Sequence, residues 1–106
     1  MKLRLSAQSL RLRLTHPEVQ RLAREGLLEE QLWLPPGRAL RYRLRVAPDV
    51  ADLDIAFSGE VIEIRLPRAQ ALEWCSGEAV SLCGTVPAGE VSVKLVIEKD
   101  FDSFEG

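Results

Sequence analysis

The chain is short of the residues that most chemistry needs. Its 106 residues include two cysteines, Cys75 and Cys83, and one histidine, His16. A structural zinc site takes four Cys or His ligands at regular spacings, and three such residues in all do not supply one. Two cysteines allow one disulfide, but nothing in the sequence points to an oxidising compartment, so a pair of buried or half-buried thiols is the plainer reading. No glycine-rich loop is present to cradle phosphate, and His16 stands beside Pro17 at a helix start, poorly placed to serve a Ser or Cys nucleophile. The carboxylates fall on strand exteriors or in the tail, where a general acid with a raised pKa is not expected. These absences argue against an enzyme and call for no metal or cofactor.

Long apolar runs and a surplus of one charge are missing as well. No stretch approaches the length of a bilayer span, and the first fourteen residues carry a charge every few positions where a signal peptide needs an unbroken apolar core. The expectation is a cytoplasmic protein. Fourteen Lys and Arg against sixteen Asp and Glu leave a net charge of -2, so the total supplies no bulk attraction to nucleic acid or to anionic membrane. Only an uneven distribution could supply it. With 46% hydrophobic and 28% charged residues, the chain reads as a single globular domain with a modest core.

What is present is a repeat. At an offset of 52, residues 1–37 lie over 53–89 without a gap, and Leu3, Leu5, Leu10, Leu12, Leu22 and Leu28 fall on Ile55, Phe57, Ile62, Ile64, Trp74 and Val80. In the last strands an offset of 51 sets Leu40, Tyr42, Leu44 and Val46 on Val91, Val93, Leu95 and Ile97, so one residue separates the copies at the preceding turn. Each copy, 1–52 and 53–106, reads as strand, strand, helix, strand, strand. Alternating apolar and polar residues mark strands at 2–5, 9–14, 27–34, 53–57, 61–66 and 79–86. A capping box, Thr15 with Glu18, opens the first helix, which ends near Gly26; the second follows Pro67 over 68–76. Val19, Leu22 and Ala23 make one apolar stripe, and Ala71, Trp74 and Cys75 the other.

Two resemblances follow from these motifs. Ile64, Arg65, Leu66 and Pro67 lead into a short helix and then Gly77, Glu78, Ala79 and Val80, with Leu12, Arg13, Leu14 and Thr15 as a weaker first copy. This unit resembles the AbrB-like swapped-hairpin family of bacterial transition-state regulators and antitoxins. The resemblance implies a mainly β fold with two short helices, in which tandem β-β-α-β-β units interlock into one small barrel within a single chain. It implies a monomer with an internal pseudo-two-fold axis, although the same hairpins could exchange between chains and give a swapped dimer. Residues 1–4, 9–15 and 98–101 also resemble a family of short uncharacterised bacterial proteins that begin Met-Lys-Leu-Arg and end Glu-Lys-Asp-Phe.

The charge is split between the copies. Residues 1–52 carry ten basic and six acidic side chains, +4, and residues 53–106 carry four and ten, -6. Lys2, Arg4, Arg11, Arg13, Arg41, Arg43 and Arg45 alternate with apolar neighbours and so project outward from three strands, where they could form one basic wall. In the resembled family the basic residues before the helix face DNA, which implies roles for Arg4 and Arg13; in copy two Arg65 remains, but Ala56 and Phe57 stand where that family tends to be basic. One reading therefore makes Arg4, Arg11, Arg13, Arg41, Arg43 and Arg45 a nucleic-acid face. The other pairs them across interlocked hairpins with Asp54, Glu60, Glu63 and Glu98, leaving a non-enzymatic interaction module. Trp33, outward on its strand, and Phe101 and Phe104, in the acidic tail, are candidate protein-partner contacts. Glu30 lies on the inward parity of its strand, as a rim residue or as a buried acid in need of a partner.

Overall fold

The computed structural model describes residues 1–100. Its elements run β1 (Lys2–Ser6), β2 (Ser9–Leu14), α1 (His16–Glu25), β3 (Leu27–Leu34), β4 (Arg38–Ala47), β5 (Asp54–Ser58), β6 (Val61–Pro67), α2 (Arg68–Ser76), β7 (Ser81–Ala88) and β8 (Val91–Lys99). The fold is mainly β with two helices, and the β-β-α-β-β order occurs twice. Phe101 and Phe104 lie outside the described residues.

The hairpins do not keep to their own half of the chain. β2 pairs in parallel with β8, and β4 in parallel with β6, so the two sheets have the orders β1-β2-β8-β7 and β3-β4-β6-β5. Exchanging the halves turns one order into the other. The expected closed cylinder is not formed by hydrogen bonds: the ladders of the described residues make two separate four-stranded sheets facing across one core. Where the sheets approach each other, side chains bridge them. A Cβ on Gly84 would sit 3.3 Å from Leu53, so the absence of a side chain on β7 is what lets Leu53 lie against it.

The pairings correct the offsets read from the sequence. The β1–β2 and β5–β6 hairpins match rung for rung at 52, ending in Ser6 opposite Ser9 and in Ser58 opposite Val61. Ser9, however, pairs with Lys94 and its counterpart Val61 with Arg41, which makes Arg41 and Lys94 equivalent at 53. Gln31 opposite Arg41 and Thr85 opposite Lys94 then set β3 against β7 at 54. The single-residue difference at the hairpin turn is present, as Pro35, Pro36 and Gly37 against Gly89 and Glu90. A further shift of two enters between α2 and β7, where four residues replace Gly26 and α2 is one residue shorter than α1. Because two residues return a strand to the same face, the apolar pattern does not register the shift. Leu28 therefore corresponds to Leu82, and Glu30 to Gly84.

The core collects the inward residues of both sheets and both helices. Leu10, Leu12, Leu14, Leu22, Leu44, Ile64, Leu66, Trp74, Leu95 and Ile97 are buried in one cluster. In α1, Glu18 accepts hydrogen bonds from the Thr15 backbone N–H at 2.9 Å and from its hydroxyl at 3.0 Å, and Gly26, at φ 75°, closes the helix with its N–H on the Leu22 carbonyl at 2.8 Å. In α2 Ala71 and Trp74 are buried while Cys75 is half-buried. Trp74 donates its indole N–H to the Val80 carbonyl at 3.3 Å, and the Lys99 ammonium lies 5.2 Å from its ring centre. Both cysteines are free thiols, and Cys83 is exposed rather than tucked into the core.

Trp74 fills the place in its half that Leu22 fills in the other. Trp74→Ala should cost roughly 3–5 kcal/mol, enough to lower Tm by more than about 10 °C in a domain of this size. A thermal melt that barely moves would contradict the placement of Trp74 in the core.

Candidate anion-binding face

The seven outward cations do not share one wall. β1 and β2 place Lys2, Arg4, Arg11 and Arg13 on the outer face of the first sheet, whereas β4 carries Arg41, Arg43 and Arg45 on the outer face of the second. The reason is the interlock, which separates the two hairpins of each half.

On the second sheet, acidic neighbours surround Arg43, Arg45 and Arg65, while Arg41 has no ion-pair partner among the described residues. Glu63 of β6 lies under three guanidinium groups: Arg65 Nε donates to it at 2.7 Å, Arg45 Nη2 at 3.4 Å, and Arg43 Nη1 stands 3.6 Å away. Arg43 also pairs with Glu29 at 2.9 Å, at an angle that does not make a hydrogen bond, and Arg65 pairs with Asp54 at 3.8 Å. The Arg65 hydrogen bond leads the causes that hold the Glu63 carboxyl below the ordinary carboxylate range, with Arg45 adding to it against the opposing pull of burial; the same contact raises Arg65. Beyond the sheet face, at the hairpin tips, Arg38 pairs with Glu60. The outer face holds four cations, Arg41, Arg43, Arg45 and Arg65, against three carboxylates, Glu29, Asp54 and Glu63.

The first sheet is arranged the other way. Lys2 stands directly opposite Arg13 and Arg4 opposite Arg11, and like charges facing each other across a ladder are destabilising. The equivalent rungs of the second sheet are Asp54 opposite Arg65 and Ala56 opposite Glu63. Among the described residues one carboxylate serves the first face: Glu98 accepts from Arg13 Nε at 3.0 Å and lies 3.7 Å from Arg11 Nη1. Lys94 of β8, opposite Ser9, raises the cations to five against one among the described residues. Among the described residues Lys2 and Arg4 have no ion-pair partner.

This face is hollowed along its edge strand. A concavity of about 420 Å³ is lined by Met1, Lys2, Leu3, Arg4, Arg11, Arg13 and Tyr42. A second, of about 330 Å³, shares Arg4 and Arg11 and adds Ser6 and Ser9. Together they make a basic trough along the β1–β2 hairpin. Tyr42 reaches it from β4 and is fixed there, donating its hydroxyl to Glu30 Oε2 at 3.1 Å. Burial, and then the hydrogen bond to Glu30, push the Tyr42 hydroxyl above its usual pKa, so it stays protonated. Glu30 is a rim residue, its side chain 43% exposed, and it also stands 3.4 Å from the Met1 ammonium. Glu18 contacts the same ammonium; although burial pushes its carboxyl up, that contact and the Thr15 bonds outweigh it and hold the carboxyl below its ordinary range.

The sequence placed Lys2, Arg4, Arg11 and Arg13 in one wall with Arg41, Arg43 and Arg45, which lie on the other sheet; it left out Lys94 and missed Tyr42. Alternation assigns Tyr42 to the interior, and only the approach of β4 to the edge of β1 brings it to the trough. Trp33 is exposed on the outer side of β3 and does not line the trough.

The fold and this face together define a small two-sheet β domain with one basic and one charge-balanced exterior, and no helix of its described residues is long and apolar enough to cross a membrane. The chain belongs to a family of unknown function, DUF7009, whose model matches residues 1–105. Neither the curated proteins nor the solved structures contain a match to it.

Glu63 offers a direct check on the balanced face. Glu63→Gln should lower stability by about 1 kcal/mol at neutral pH. Because the folded carboxyl titrates below its unfolded value, that difference is fully present above the unfolded pKa of about 4.3 and disappears as pH falls through the lowered folded value. Denaturant melts of both proteins from neutral to acid pH read it. A gap that persists or widens in acid would contradict the network.

Proposed function

We propose that this protein is a non-catalytic binding module that grips the phosphates of nucleic acid with the outer face of its first sheet, through Lys2, Arg4, Arg11 and Arg13. The observation that carries the reading is the pair of rungs Lys2–Arg13 and Arg4–Arg11, like charges set opposite one another in a chain whose equivalent rungs on the other sheet, Asp54–Arg65 and Ala56–Glu63, oppose no like charges. Cross-strand repulsion works against folding, and an anionic ligand relieves it. Arginine suits the task, since its planar fork grips two phosphate oxygens at once. The resemblance to swapped-hairpin regulators supports the same positions, Arg4 and Arg13, and the reading that the two halves are a tandem duplication. Arg43 and Arg45 are assigned instead to holding the two halves together.

A protein partner is favoured at a different place. Leu32, Trp33 and Leu34 are all exposed on β3, an edge strand, and exposed apolar edges recruit other chains. Trp33→Ala should leave oligonucleotide binding untouched, which separates the two surfaces.

Fluorescence anisotropy of labelled oligonucleotides across a salt series tests the main reading. Four phosphate contacts should give a logarithmic salt slope of about -3. The double reversal Arg4→Glu with Arg11→Glu should abolish binding, and Arg43→Glu should not. Failure of every oligonucleotide to bind at low salt, or equal loss with Arg43→Glu, would overturn it.

A further inference from the structure

The trough is more than a row of charges. Its larger hollow brings Leu3 and the ring of Tyr42 beside Lys2, Arg4, Arg11 and Arg13. The smaller one continues with the hydroxyls of Ser6 and Ser9 around Arg4 and Arg11. A site for phosphate alone needs donors and gains nothing from an apolar and aromatic wall. We propose that the trough takes an unpaired nucleic-acid strand, with phosphates along the arginines and a base ring in the hollow formed by Leu3 and Tyr42. The inference rests on the nucleic-acid reading above and narrows it to one class of ligand.

Geometry favours a single strand over a duplex. Bases in a duplex are stacked inside it, and none reaches a concavity of about 420 Å³ unless it is first extruded. An unpaired strand presents its rings without that penalty, and ring-on-aromatic contact tolerates any sequence. The basic strip is also narrow. It spans β1 and β2 with Lys94 beside them, and from the Lys2–Arg13 rung to the Ser6–Ser9 rung it is about 13 Å long. A two-fold reader of duplex needs the same face twice, and here the equivalent face of the second sheet carries Asp54, Glu63 and Glu29 among its cations. Tyr42 is suited to be a fixed wall, because its hydroxyl is tethered to Glu30.

The test compares four probes by anisotropy and competition: a short single-stranded DNA, a strand of equal length with abasic sites, the annealed duplex, and inorganic polyphosphate. The single strand should bind about tenfold or more tightly than the abasic strand, and more tightly than duplex or polyphosphate. Photocrosslinking of an iodouracil-substituted strand to the unaltered protein should label peptides containing Tyr42 or residues 1–4. Equal affinity for abasic strand or duplex, with sensitivity to Arg4→Glu and Arg11→Glu retained, would overturn this inference and leave the phosphate reading standing. Crosslinks confined to β5–β8 would also overturn it. Absence of binding by all four probes would overturn both.

Discussion

Everything in this fold depends on two parallel strand pairs made between the halves of the chain, β2 with β8 and β4 with β6. Neither half can finish its own sheet. Each contributes two strands to one sheet and two to the other, so the core is shared and the helices close it from both halves. The same constraint decides the electrostatics. It separates the basic strands of the first half, sending β4 to lie against Glu63 while leaving β1 and β2, among the described residues, with Glu98 alone.

The two exteriors are therefore equivalent in backbone and opposite in charge logic. Arg13 and Arg65 occupy the same position, but the partner across the hairpin is Lys2 in one case and Asp54 in the other. Surface ion pairs contribute little singly, roughly 0–1 kcal/mol. Three guanidinium groups around the largely covered Glu63 act as a unit. The unmatched face gives up such support and gains a cationic field in a molecule whose net charge is -2.

Much of the architecture was legible in the sequence, because strand alternation and helix caps are local signals. The Thr15–Glu18 box, the Gly26 stop and the Pro67 start all mark helix boundaries found in the structure. The offsets were legible only up to face parity: a two-residue lengthening before β7 leaves every apolar residue on its original face, so only hydrogen-bond register shows that Glu30 matches Gly84 rather than Leu82. The site was half legible. Outward alternation identified the arginines, yet which of them share a face is a property of strand order, which no single strand encodes. The charge split between halves pointed both to a basic wall and to internal pairing; pairing across the halves occurs on both sheets, Arg43 and Arg45 with Glu63 and Arg11 and Arg13 with Glu98, while Lys2 and Arg4 have no ion-pair partner among the described residues.

Like charges on facing rungs set the first sheet's cations against its own stability, whereas the second sheet's cations support it. Thermal melts of Arg4→Glu and Arg43→Glu without any ligand, at low ionic strength, separate the two roles. Arg4→Glu places a carboxylate opposite Arg11 and should hold or raise Tm, whereas Arg43→Glu sets a third acid beside Glu29 and Glu63 and should lower it by several degrees, about 4–8 °C for each kcal/mol lost. A loss of stability with Arg4→Glu as large as that with Arg43→Glu would contradict the account.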